Sequence, residues 1–351
     1  MSETTERRWT GAQFLLLVAC FVVVVAGLKA ASSLILPFLV AVFLSMITLP
    51  LLNWLQAKRM PTPLAVTLTI IAALLVLGGI VVLVGGSIAA FTDEAPKYKE
   101  RLELMSSGAR DWLQAQGFSV SDQIAAYLIN PAQAVDLVSG ALRGVAGVLS
   151  NLLLVLLAIV FILSEAAGFP QKLRTAFGKD DGWDRFGHIR AEVQHYLGIK
   201  TLTSLVTGSI VAAALAIIGV DFPLLWGMLA FLLNYIPTFG SILAAIAPVL
   251  LASVQFGPGR AIAVALVFVA VNILIGSFIE PHFMGRRLGL STLVVFFSLV
   301  FWGWVWGPVG MLLSVPLTMI VKIMLENTED LKWMGVLLDR SGERPPARPG
   351  P

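Results

Sequence analysis

Long unbroken apolar runs dominate this chain, and they restrict what it can fold into more than any other feature. A hydrocarbon core about 30 Å thick is crossed by about 20 apolar helical residues. Residues 14–28, 30–52, 63–90, 145–163, 201–220 and 261–279 are runs of that kind, and two longer apolar stretches lie at 222–254 and 292–324. A membrane β-barrel needs strands of about 10 residues with alternating polarity, and these runs do not alternate. Composition agrees: 58% of the 351 residues are apolar and 13% charged, against about 45–50% and about 25% in soluble domains. A single cysteine, Cys20, excludes a disulfide scaffold. The hydropathy excludes a disordered chain, and a net charge of +3 gives no basis for nucleic-acid binding. The expected fold is all-α, a polytopic helical membrane protein with roughly eight membrane segments.

Polarity divides the chain into sections. Residues 1–90 hold the N-terminal membrane helices. Arg7 and Arg8 before the first run resemble the start of a signal peptide, but no small-residue cleavage site follows, so the run is read as an uncleaved helix. Pro37 and Pro50 predict a kink in the second run. Residues 91–143 carry seven acids and five bases among short amphipathic pieces, the pattern of an extracytoplasmic helical section outside the bilayer. A further membrane helix occupies 144–164. Residues 165–200 form a cytoplasmic amphipathic connection, in which Phe186, Ile189, Val193 and Leu197 share one helical face. Residues 201–326 form a C-terminal membrane core. There Ser204, Gly208, Ala212 and Ala216 recur as a small-residue stripe suited to close helix packing. Residues 327–351, ending in RPPARPGP, read as a disordered tail.

Both long stretches are broken in the middle, the first at Pro237 and Gly240, the second at Gly307-Pro308. Each can be two crossings or one re-entrant hairpin, and both options return the chain to the side it came from. Opposed hairpins meeting near the midplane would make a transport site, because broken backbone is tolerated only where it lines a cavity. With the N-terminus in the cytoplasm, 17 of the 24 Lys and Arg residues fall inside and 7 outside. That bias puts both termini in the cytoplasm and residues 91–143 outside.

Enzymatic chemistry has no visible carrier. No GxxxxGK[ST], HExxH or GxSxG sequence occurs, so no cofactor, nucleotide site or catalytic residue is expected. His188, Glu192 and His195 share a helix face, but on an amphipathic helix they read as solvated surface rather than a metal site.

Four elements of the C-terminal core occur together: Ile236-Pro237 with Gly240; Pro281 with Gly285-Arg286; Gly289-Leu290-Ser291; and Gly307, Gly310 and Pro316. In this combination the chain resembles the autoinducer-2 exporter (PerM-like) family of bacterial membrane transporters. The N-terminal pattern fits as well, so the resemblance covers almost the whole chain. It implies the architecture above, a location in the bacterial inner membrane, and either export of the quorum-sensing molecule autoinducer-2 or sodium/proton exchange.

A secondary transporter for a small polar molecule of the autoinducer-2 type is the expected function, with a cation/proton antiporter and a non-transporting scaffold subunit as alternatives. An antiporter needs titratable oxygen ligands inside its spans, and Glu165, Asp221 and Glu280 lie only at span borders. Expected partners are membrane lipid, the small solute or cation, and a second copy of the chain, since small-residue faces suit a homo-oligomer. Asn234, Tyr235, Pro237 and Gly240 are expected to line the solute path, together with Gly307, Pro308 and Gly310 at the second break. Glu280, Arg286 and Arg287 are either cytoplasmic anchors or, in the case of Glu280 and Arg286, an ion pair closing the second hairpin. The charge bias is checked by labelling in intact cells. In a Cys20→Ala background, Ser107→Cys should react with an impermeant maleimide without permeabilisation, and reaction only after permeabilisation would invert the topology.

Overall fold

The computed structural model describes residues 11–116, 139–140, 142, 152–166, 168, 172, 182–237, 239–284, 290–326, 335 and 337–338. Every regular element among them is helical. Among the described residues, six helices are long and apolar enough to cross a membrane, and three apolar helices are shorter.

The chain rises through α1 (Gly11–Ala30), turns at Ala31, and returns through α2 (Ser32–Ala57). Pro37 and Pro50 sit inside α2 without ending it. α3 (Thr62–Ala115) is 54 residues long. It does not stop where the apolar run ends at Ala90 but continues as one helix through the charged stretch that follows. The expected boundary between membrane helix and amphipathic section therefore lies inside a single element. The reason is local: residues 91–115 hold no glycine pair and one proline, and Ala, Glu, Lys, Arg and Leu favour helix. α4 (Leu152–Ala166) packs with α2 and the start of α3 around Leu52, Val155, Ile159 and Leu163.

α5 (Gly182–Ile218) joins the amphipathic lead-in and the fifth apolar run in one helix, and its buried stripe serves two cores. Val211 and Leu215 belong to a core with α3, α6 (Pro223–Leu233), α7 (Phe239–Phe256) and α8 (Pro258–Val271). Val193, Tyr196 and Leu197 belong to a second core with α1, α2 and α10 (Thr292–Glu326). Between α8 and the short α9 (Glu280–Met284) the chain runs as a π-helix, Asn272–Ile279.

The small-residue stripe of α5 does what its spacing predicts. A Cβ on Gly208 would lie 2.6 Å from the Gly227 carbonyl oxygen, and one on Gly227 would lie 2.6 Å from Ala212 Cβ. Only two glycines facing each other let α5 and α6 approach this closely. Outside these cores, large apolar side chains such as Phe21, Leu75, Leu153 and Ile217 are exposed, as a lipid-facing surface requires.

Gly208→Val should overpack this contact at a cost of about 1–3 kcal/mol, seen as a lowered unfolding temperature in detergent. Gly78→Ala meets no atom within 4 Å and should leave that temperature unchanged or raise it, by up to about 1 kcal/mol in stability.

Candidate functional site

The first break is built by its own sequence. Pro237 has no N–H and disfavours helix at Ile236, so α6 ends at Leu233 with Asn234 as its cap. The chain reverses within a few residues: Phe239 N–H donates to the Pro237 carbonyl (2.6 Å) and Gly240 N–H to the Ile236 carbonyl (3.2 Å). A Cβ on Gly240 would overlap the Leu233 carbonyl oxygen, so only glycine lets α7 begin against the end of α6. At the open end of this hairpin, Asp221 N–H donates to Gln255 Oε1 (3.3 Å), so both arms start from the same face.

The reversal sets polar groups against α5. Asn234 Nδ2 donates to Ser204 Oγ at 3.0 Å. The Tyr235 hydroxyl lies 2.7 Å from Thr201 Oγ1. Thr201 gives its own proton to the Leu197 carbonyl (2.6 Å), which leaves Tyr235 as the donor. Behind the reversal, Ser241 Oγ donates to Asn272 Oδ1 at 2.8 Å, and Asn272 opens the π-helix. Thr207, Asn234, Ser241 and Asn272 surround a cavity of about 10 Å³, closed on its apolar side by Val211, Phe268 and Ile275. That is the size at which a single water begins to fit. Thr207 Oγ1 is buried there with no hydrogen-bond partner, a state costing about 1–3 kcal/mol. π-turns recur at functional sites because the wide turn leaves backbone and side chains free to face a ligand.

The second break is also a true hairpin. Gly307 has φ 63° and ψ −146°, a region closed to residues with a side chain. A Cβ on Gly310 would overlap the Trp302 carbonyl oxygen, and Trp302 Nε1 donates to Thr318 Oγ1 across the arms at 3.1 Å. Trp306 Nε1 donates to the Leu28 carbonyl at 3.0 Å, fixing the tip to the end of α1. Lys29 Nζ sits 4.0 Å over the exposed Trp304 ring. The hairpin tips do not meet midway. Phe239, at the first tip, packs against Phe296 in the early part of the second hairpin, with ring centres 6.1 Å apart. Phe296 precedes Gly307 by eleven residues, about 16 Å of helix. Each hairpin thus runs past the other instead of stopping at it.

Charged groups occupy the two ends. Lys200 Nζ donates to Glu280 Oε1 at 2.6 Å, with side chains only 5% and 15% exposed. Glu280 therefore has a partner on α5. Arg286 and Arg287 lie outside the described residues, as do Gly285 and Gly289. At the opposite end the Tyr98 hydroxyl, in the extension of α3, donates to Asp221 Oδ2 at 2.8 Å. Gln255 Nε2 donates to the same carboxylate oxygen, and Trp226 Nε1 donates to the Asp221 carbonyl at 2.8 Å.

Sequence reasoning named Asn234, Tyr235, Pro237 and Gly240, and the structure gathers these at one break. It missed Thr207, Ser241 and Asn272, which join Asn234 around the cavity, and it named Ser204 for packing only, not as the partner of Asn234. It counted Lys200 only among the cytoplasmic bases that set the orientation. One signal could have found three of these. Val193, Leu197, Lys200, Ser204, Thr207 and Val211 recur at helical spacing, so the buried stripe of the lead-in passes through the lysine without interruption.

The comparisons with known proteins follow this architecture over its whole length. The model of the AI-2E family transporters matches residues 17–330. The chain belongs to the AI-2E transporter family. The AI-2 transport protein TqsA of Escherichia coli (strain K12) is 39% identical over 93% of this chain and 96% of its own. YhhT of the same strain is 35% identical over 96% of this chain and 97% of its own. A relative in Haemophilus influenzae is 39% identical over 92% and 95%. Membership, with the apolar helices, makes this AI-2E protein a helical membrane transporter.

Two substitutions test the second hairpin. Gly310→Leu should force its arms apart and abolish a cooperative unfolding transition in detergent. Trp306→Phe keeps the ring but loses the bond to Leu28, and should lower stability by about 1 kcal/mol.

Proposed function

We propose that this protein is a secondary transporter of the bacterial inner membrane that exports a small, uncharged polar solute of the autoinducer-2 type. Both termini face the cytoplasm, and flux is driven by a gradient instead of ATP. The observation that carries the proposal is the cavity between α5, the first hairpin and the π-helix. Among the described residues its polar lining consists of two hydroxyls and two amides, with no carboxylate and no ammonium group. Amides and hydroxyls both donate and accept, which matches the hydroxyls of a polyol and gives no charge to hold a bare cation. The unpaired Thr207 hydroxyl supplies a group that a solute hydroxyl can satisfy. The cavity is water-sized because the first hairpin is closed against α5, and moving its tip from Ser204 and Thr201 enlarges it. The AI-2 transport function in the name of TqsA supports the same solute class.

Purified protein in liposomes loaded with autoinducer-2 tests this. Thr207→Val preserves shape and removes one hydrogen bond worth about 1 kcal/mol, and should slow efflux about fivefold. Asn234→Leu should slow it at least as much with expression and oligomer size intact. Full flux in both variants would remove the cavity from the path. A Na⁺ pulse across the same vesicles should leave internal pH unchanged.

A further inference from the structure

We propose that the Lys200–Glu280 pair is a proton-binding site, and that the π-helix Asn272–Ile279 connects it to the cavity at Asn272. This deepens the transport reading by naming the coupling ion, and it rests on that reading for its role in flux.

Three observations carry it. Among the ion pairs described, this is the one with both side chains largely buried; the pairs Lys97–Glu94, Lys172–Glu165 and Lys322–Glu326 each keep at least one well-exposed member. An ion pair withdrawn from water in a membrane protein is costly to keep and marks function more often than support. It is also placed at a junction. Lys200 precedes Thr201, which binds Tyr235 at the first hairpin's reversal. One turn of α5 thus holds both α9 and the hairpin tip. Finally, Glu280 is the first residue after the π-helix and Asn272 is its first residue, so the ion pair and the cavity sit at the two ends of one irregular helical segment.

The chemistry is a single proton transfer. A proton entering from the Glu280 side bonds to the Glu280 carboxylate, and Lys200 keeps its three protons. The charge-assisted bond is lost, and an uncompensated ammonium is left between helices. Water must reach Lys200, so α9 and the hairpin tip separate from α5. A π-turn holds one residue more per turn than the α-helix allows. Its relaxation to α-helix turns Glu280 by about 100° relative to Asn272. Among the described residues, few titratable groups face Glu280. Tyr196 of α5 lies within its electrostatic reach, and Tyr235 of the hairpin lies within that of Tyr196. Glu192 is two turns back along α5, His282 on α9 is exposed, and Lys322 on α10 bonds to Glu326.

Distances between spin labels at Phe239→Cys and Phe283→Cys, in full-length Cys20→Ala protein, test this without any solute. A second, longer distance should gain population as the pH is lowered. Glu280→Gln should show the longer distance at every pH, and Glu280→Asp should keep the titration. A distance that ignores pH, or a Glu280→Gln protein that titrates like its parent, would overturn the proposal. In autoinducer-2 liposomes, a gradient of one pH unit should support an about tenfold solute gradient. Glu280→Gln should lose this response while still carrying solute downhill, and retention of the response would equally overturn the proposal. If no protein carries autoinducer-2 but the distances still titrate, the proton site stands and the solute assignment falls.

Discussion

The approach of α5 to α6 at Gly208 and Gly227 sets where the rest of the membrane core can sit. In hydrocarbon, a backbone that leaves the helix needs partners from the protein itself. The reversal after Leu233 finds them because α6 lies close enough for Asn234 and Tyr235 to reach Ser204 and Thr201. A bulkier pair at 208 and 227 would hold α6 off, and the broken turn would face lipid with unpaired groups. The polar cavity follows from the same contact, since Thr207 is the neighbour of Gly208 and turns inward with it.

Polarity in the core is graded rather than scattered. The ends carry charge, Lys200 with Glu280 at one and Asp221 with Tyr98 and Gln255 at the other. The groups between them, Ser204, Thr207, Asn234, Ser241 and Asn272, are all neutral. A charge costs more the further it sits from water, so this order is the one a folded membrane core can sustain. It also leaves neutral hydrogen-bonding groups facing the space between the two charged ends.

The helical fold was legible because apolar run length is a one-dimensional property, and the proline and glycine at each break act on their own neighbours in sequence. Asn234 and Gly240 were legible for the same reason. Ser241 and Asn272 were not, because they meet across 31 residues and neither stands out in its own run. The partner of Lys200 was not legible because charge counting assigns a base to a side and not to a neighbour, although its place on the stripe from Val193 to Val211 puts it between helices. The length of α3 was not legible because polarity changes at Ala90 while the helix does not. A helix can leave the bilayer without ending, and the residues beyond Ala90 have the propensity to let it.

That continuity makes α3 a lever. Residues 91–115 extend the helix by about 38 Å beyond its apolar run, with Tyr98 bonded to Asp221 near the fulcrum. A tilt of about 10° in the apolar part displaces the far end by about 7 Å over that length. The same rod turns a push on its far end into a small torque at Asp221, where both arms of the first hairpin are anchored.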